Sequence, residues 1–265
     1  MLAAGCGSSS GSKSASSAGP ATTTTTTATA PTVDSSALKR LPQAPEPSDS
    51  RAIEEGPSRN AFLRAVFDDA AALWHREFEA ADATYRPARL TIFSQRVRTA
   101  CGNHEARTGP FYCPASVGVY LDPTFFAALS RRAGVDLGAV AQGYVIAHEV
   151  GHHVQFLAGI TRQKAVADHQ DPDGANARSV LFELQADCLA GVWMHSVYAR
   201  GELTSADVED ALDAAAVVGD DFQENLAGAR RPREDWTHGS SAQRQQWLTT
   251  GLREGTPGSC DTFSE

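Results

Sequence analysis

The sequence has no run of 18 or more apolar residues, so no segment of it is built to cross a membrane as a helix. It has no surplus of basic residues either. Its 23 Lys and Arg stand against 32 Asp and Glu, for a net charge of −9. That balance, with no basic patch along the chain, argues against a nucleic-acid partner. No C-x-x-C pair occurs among its five cysteines, which removes the usual zinc-knuckle arrangement. No internal repeat is visible, which argues against a repeat architecture.

Positions 7–58 are also poor in apolar surface. They are dominated by Ser, Thr, Ala, Gly and Pro, with the run Thr22 to Thr27 and the cluster Pro42, Pro45, Pro47. Such a stretch buries too little to offset the entropy of ordering it. It is expected to be a disordered Ser/Thr/Pro-rich linker. Residues 59–265 remain, enough for one domain with its own core. Ahead of the linker, Leu2-Ala-Ala-Gly-Cys6 resembles a bacterial lipobox. Residues 1–6 are therefore expected to be the remnant of a lipoprotein signal peptide that starts upstream, with Cys6 lipidated. The bland alternative is a chance Gly-Cys in a tail. The lipobox reading places the domain outside the cytoplasm, either secreted or held at the membrane by lipid alone.

The other four cysteines allow three pairings. Cys101 and Cys113 flank a turn segment containing Gly and Pro, so a local Cys101–Cys113 bond is expected, leaving Cys188 to Cys260. Four buried free thiols would instead fit a cytosolic chain.

Apolar residues at 62, 63, 66, 67, 70, 73, 74 and 78 predict a helix over 60–81. Residues 88–94 and 96–99 read as strands, and 111–121 as a hairpin. Asp122 is placed to cap a short helix from Pro123. Helices follow over 138–157, stopped by Gly159, and over 177–199, ended by Gly201. The polar stretch 161–176 reads as a loop. A helix capped by Thr204 or Ser205 runs to about 218, and the last spans 240–251. The expected fold is α+β, a small antiparallel sheet followed by a helical block.

The chemistry concentrates at His148-Glu149-Val150-Gly151-His152, an H-E-x-x-H sequence on the 138–157 helix. Residues i and i+4 lie on one face a single turn apart, so two imidazoles reach one tetrahedral zinc. Glu149 is then placed to act as general base toward the attacking water. His153 lies about 100° round the helix and is read as a supporting or core histidine. The flanking Val145, Ile146, Val150 and Val154 bury this helix, and buried ionisable groups need a reason. A second helix carries Glu183 and Asp187, again i and i+4. Glu183 is expected as the third ligand and Asp187 as the residue that orients a ligand imidazole, with an exchange of their roles left open. Ala186, Ala190 and Gly191 are small enough for this helix to approach the first closely.

CGNHEARTGPFYCP, VYLD, AQGYVIAHEVGHHVQ, ELQADCLAGVW, THGSSAQR and the terminal CDTF occur here in fixed order. Together they resemble the neutral zinc metallopeptidases of bacteria, from about residue 60 to Phe263. The resemblance implies a zincin-like fold and peptide-bond hydrolysis. Thr237-His238 with Arg244 is also similar to a Thr-His-Pro-x-x-x-x-Arg stretch of membrane-embedded CAAX-type zinc peptidases, with Gly239 in place of the proline. On that likeness His238 steadies the oxyanion formed after attack. The competing reading makes His238 or Ser240 a cap of the last helix. Tyr144, one turn before His148, is the other donor in reach.

The expectation is one zinc per chain, held by His148, His152 and Glu183, with a peptide or protein as substrate. The strand Val117 to Leu121 is expected to offer a sheet edge to that peptide. A zinc-stabilised binding protein without turnover, or a zinc amidase acting on cell-wall peptides, are the rival readings.

Overall fold

The helix expected over 60–81 forms as α1 (Arg59–Ala80), started by Ser58, whose side chain accepts a hydrogen bond from the Ala61 N–H. Its buried stripe runs from Phe62 to Phe78 and includes Leu63, Val66 and Trp74. The computed structural model describes residues 33–41, 58–105, 109–135 and 137–264. Cys6 and the lipobox lie outside the described residues.

Five short strands follow: β1 (Arg89–Ile92), β2 (Arg96–Thr99), β3 (Gly102–Glu105), β4 (Phe111–Cys113) and β5 (Gly118–Leu121). β2 and β3 form a separate antiparallel hairpin, tied to β4 by the Cys101–Cys113 disulfide. β4 and β5 pair antiparallel, as the 111–121 hairpin predicts. The remaining pairing corrects the all-antiparallel expectation. β1 runs parallel to β5, with Arg89 opposite Gly118 and Ile92 opposite Leu121, so the sheet β1-β5-β4 is mixed. Side-chain alternation is the same in both kinds of ladder and carries no information on direction. The correction moves the edge. β5 is central, covered by β1 on one side, and β4 takes the outer position that residues 117–121 were expected to hold.

α2 (Thr124–Ala133) starts where Asp122 accepts hydrogen bonds from the Thr124 N–H and hydroxyl. The helical block is built on α3 (Ala139–Leu157) and α5 (Ala175–Ala199). Residues 184–194 of α5 are buried without a break, the polar Gln185 and Asp187 included, so this stretch lies inside the domain. A Cβ at Gly151 of α3 would lie only 3.0 Å from the Ala186 carbonyl oxygen, which marks the close approach of the two helices. Gly191 serves a different contact from the one expected. It meets Leu248 and Gly251 of α8 (Ser241–Glu254).

Three further helices complete the block. The polar stretch read as a loop contains α4 (Ile160–Gln170). Gly159, at φ 81°, turns the chain and α4 starts at once. Only Ile160 and Ala167 of α4 are buried, too few to give a periodic signal, and the ion pairs Lys164–Asp168 and Arg178–Asp168 help to hold it. α6 (Ser205–Val217) opens on a capping box of Thr204 and Asp207. α7 (Asp220–Ala227) was not anticipated; Asp220 and Asp221 in its first turn complement the helix dipole.

The linker reading also needs correction over residues 33–41. Val33, Leu38 and Leu41 are buried and belong to the hydrophobic core. Ser35 is buried as well, and Lys39 pairs with Asp261 of the C-terminal tail. Burying an aliphatic side chain stabilises by roughly 1.5–3 kcal/mol, and the contribution of these three is what average composition hides. Among the described residues, no helix is long and apolar enough to cross a membrane.

Candidate active site

α3 and α5 bring three of the expected residues to one point. Ligand-type atoms of His148, His152 and Glu183 all lie within 4.8 Å of one another. His148 Nε2 is 3.2 Å from Glu183 Oε2 and His152 Nε2 is 3.4 Å from Glu183 Oε1. Donors at 2.0–2.2 Å from a tetrahedral zinc stand about 3.3 Å apart, so this nitrogen, nitrogen and oxygen set fits the ion. The Oε2 atom of Glu149 is buried beside the cluster with no hydrogen-bond partner among the described residues. A buried carboxylate oxygen left so is costly unless something polar meets it.

Each imidazole is held from behind. Asp187 Oδ1 is 2.8 Å from His148 Nδ1. The same oxygen accepts from the Tyr144 hydroxyl at 2.6 Å and from Arg244 Nη2 at 2.8 Å, while Arg244 Nε donates to Oδ2 at 2.9 Å. Asp187 therefore stands behind His148, as expected for the orienting acid. Tyr144, weighed above as a second donor, spends its hydroxyl on Asp187 instead. Gln155, on α3 itself, takes the matching position behind His152, with Oε1 2.7 Å from Nδ1.

Burial on its own would raise the Asp187 carboxyl, but Arg244 and His148 reverse this and hold it below the ordinary carboxylate range. Burial likewise pulls the His148 imidazolium down, and the Asp187 and Glu183 carboxylates outweigh it, lifting the group to about 10. Glu183 is held well below its usual value by the two histidines, against its burial. Glu149 moves the other way. Burial dominates and raises it, which makes the carboxylate a better proton acceptor.

His153 is a core histidine. It is fully buried, with Nε2 2.7 Å from the Arg86 carbonyl oxygen and Nδ1 3.0 Å from the Tyr112 hydroxyl. Burial pushes it down to about 4, so it is neutral at physiological pH, donating from Nε2 and accepting at Nδ1. It thereby fastens the edge strand β4 to the metal-site helix.

The cluster opens on a cleft of about 720 Å³ whose lining includes Pro110, Phe111, Tyr112, Val218, Asp220 and His238. His238 is half-exposed in this cleft. It does not cap α8; Ser240 does, in a capping box with Gln243. Asp220 instead grips the His238 loop. Its Oδ2 accepts from the main-chain N–H groups of Thr237, His238 and Gly239 at 3.0, 2.7 and 2.9 Å, and Arg231 donates to Oδ1 at 2.8 Å.

Against known families, the one described as "Putative neutral zinc metallopeptidase" matches residues 23–263. The chain belongs to this family. The match covers the metal cluster, the cleft and the segment at residues 33–41 that packs into the core. The family description implies zinc. Among relatives, the protein named uncharacterized protein YpfJ of Escherichia coli (strain K12) is 38% identical over 235 residues, spanning 88% of this chain and 82% of that protein. Uncharacterized protein Mb2605 of Mycobacterium bovis is 44% identical over 191 residues, 68% of this chain and 64% of its own length. No solved structure matches.

Sequence reasoning singled out His148, His152 and Glu183, which the fold brings together, and with them Glu149 and Asp187. It missed the roles of Arg244, Gln155 and Asp220. Arg244 and Gln155 stand inside quoted motifs, and the available signal was their type: an arginine and a glutamine within helices that bury their neighbours.

Proposed function

We propose that this chain is a zinc-dependent metallopeptidase that binds one zinc per chain through His148, His152 and Glu183 and hydrolyses peptide bonds. The observation that carries the reading is the buried, unpartnered Oε2 of Glu149 beside three converging ligand atoms. When bound, zinc supplies a Lewis acid that polarises a carbonyl and lowers the pKa of water to about 7.

The protein's own residues supply the rest. Glu149, raised by burial, accepts the proton of the attacking water and passes it to the leaving amine. Asp187 orients His148, with Arg244 neutralising the carboxylate from behind. The substrate peptide lies along β4, one of the two outer strands of the sheet and the one whose Phe111 and Tyr112 line the cleft. His238 donates to the oxygen that gains negative charge, from a loop that Asp220 holds by three main-chain bonds. The two disulfides support a site of action outside the cytoplasm. Lipidation at Cys6 would hold the domain there.

The test is one purified protein and one variant. Metal analysis of the wild type should find one zinc per chain, and digestion of a peptide library should show cleavage. Glu149→Gln should keep the zinc and lose the cleavage. Cleavage retained by Glu149→Gln would remove the mechanism, and a metal-free wild type would remove the function.

A further inference from the structure

Behind His152 the molecule does something that it does not do behind His148. His148 receives its backing from a carboxylate, whereas His152 is backed by neutral amides. Gln155 and Gln185 are both fully buried. Gln155 Oε1 faces His152 Nδ1 at 2.7 Å, and Gln155 Nε2 donates to the Phe182 carbonyl oxygen at 2.7 Å and to Gln185 Oε1 at 3.0 Å. Gln185 Nε2 donates to the Cys260 carbonyl oxygen at 2.8 Å and to Ser35 Oγ at 2.9 Å.

An amide nitrogen has two hydrogens and an amide oxygen has none to give. The Phe182 and Cys260 carbonyls can only accept. They therefore fix which end of each glutamine faces them, and no flip of either amide is tolerated without setting oxygen against oxygen. With both nitrogens spent, the oxygen of Gln155 is what meets His152, so His152 Nδ1 must carry the hydrogen. Its Nε2 lone pair is then directed at Glu183, where a ligand atom is needed. The far ends of this connection are anchored outside the cleft. Cys260 is disulfide-bonded to Cys188, and Thr262 of the same tail donates to the Leu181 carbonyl oxygen at 2.7 Å. Ser35 belongs to the N-terminal segment, whose Asp34 exchanges two hydrogen bonds with Gln163 of α4.

We infer that Gln155 and Gln185 are positioning residues forming a two-amide relay that sets the tautomer and orientation of His152 from the C-terminal tail at Cys260 and the N-terminal segment at Ser35. The relay makes two elements remote in sequence into supports of the metal site. Its effect on zinc affinity rests on the zinc reading above; its effect on the tautomer does not.

Two readouts on the full chain test it. In metal-free protein, at a pH above the ordinary histidine range, nitrogen NMR of the His152 ring should show the Nδ1–H tautomer alone. Gln155→Leu, which keeps the volume and removes the amide, should give a mixture with Nε2–H, and Gln185→Leu, which removes one of the two acceptors that hold the Gln155 amide, should give a smaller share of it. Zinc affinity, measured by competition with a chromophoric chelator, should fall by about 10–100-fold in Gln155→Leu and in the same direction in Gln185→Leu. The double variant should bind zinc no more weakly than Gln155→Leu, because one break already interrupts the relay. Ser35→Ala removes one far acceptor with little risk to folding and should fall between wild type and Gln185→Leu. An Nε2–H tautomer in the wild type, a wild-type tautomer in Gln185→Leu, or additive losses in the double variant would each overturn the inference. If the wild type shows Nδ1–H yet takes up no zinc, the zinc reading fails and the tautomer inference stands.

Discussion

Asp187 and Arg244 form a fully buried bidentate pair, Nε to Oδ2 at 2.9 Å and Nη2 to Oδ1 at 2.8 Å, directly behind the first histidine of the H-E-x-x-H helix. They are 57 residues apart and come from α5 and α8. The pair fixes where the Asp187 charge sits, and Asp187 fixes His148. Arg244→Met would leave that buried carboxylate without its guanidinium, with Tyr144 and His148 on Oδ1 and nothing on Oδ2 from Arg244, and should cost up to about 3–5 kcal/mol. Chemical denaturation should show the loss. Arg244→Lys should recover only part of it, because an ammonium cannot span both oxygens. Stability unchanged in Arg244→Met would show that the pair contributes no net stabilisation.

Glu183 and Asp187 should separate cleanly by metal content. Glu183→Ala removes one of three protein ligands and should abolish stoichiometric zinc. Asp187→Ala leaves all three and should weaken binding by about 10–100-fold, visible as faster loss to a chelator. The reverse pattern would reassign the two acids. Circular dichroism on both variants separates metal loss from unfolding.

How much of this was legible in the sequence depended on how far each contact reaches along the chain. His148 and His152 are four residues apart, and so are Glu183 and Asp187, so helical periodicity alone put each pair on one face. The helices that carry them were legible for the same reason. Arg244 and Gln155 stood in recognisable motifs, as did their partners Asp187 and Gln185, but nothing in a motif says which residue of another motif it meets. Gln185 lies 30 residues from Gln155 and 150 from Ser35, and no local pattern marks such a bond. The parallel pairing of β1 with β5 escaped because strand alternation is blind to direction, and with it the outer strand was misplaced. α4 escaped because two buried residues, Ile160 and Ala167, are too few to make a period. Residues 33–41 escaped because composition averaged over 7–58 drowned Val33, Leu38 and Leu41.

The Cys188–Cys260 bond closes a sequence separation of 72 residues and pins the tail to the metal-site helix. Its loss should cost about 2–5 kcal/mol. Cys188→Ala with Cys260→Ala should lower the melting temperature to match, measured against wild type under non-reducing conditions. A melting temperature that does not move would make the bond dispensable to the fold.

The lipid anchor proposed at Cys6 is tested by fractionation. With Cys6 lipidated, the wild type should partition into detergent, and Cys6→Ser should move to the soluble fraction. Membrane association that ignores the substitution would remove the anchor.

Asp220 gives the His238 loop a signature in pH. Burial on its own would raise this carboxyl, but the bonds from His238 and Arg231 prevail and lower it from 3.8 to about 2. The folded value lies below the unfolded one, so the contribution is fully present above about pH 4 and is lost as the pH falls through about 2. The shift corresponds to roughly 2 kcal/mol. Asp220→Asn should therefore be less stable at pH 7 and should lose less than wild type between pH 4 and pH 2, as read by denaturation at each pH. The same loop carries His238, the proposed oxyanion donor. His238→Ala should lower kcat by about 10²–10³ while zinc content stays near wild type and stability falls by no more than part of the Asp220 contribution, because the imidazole is half-exposed and caps no helix. Asp220→Asn keeps the imidazole but loosens the loop, so its kcat should fall less than that of His238→Ala, and the double variant should match His238→Ala alone. Full activity in His238→Ala would show that the loop is only structural, and the Asp220 effect on stability would then be the whole of its role.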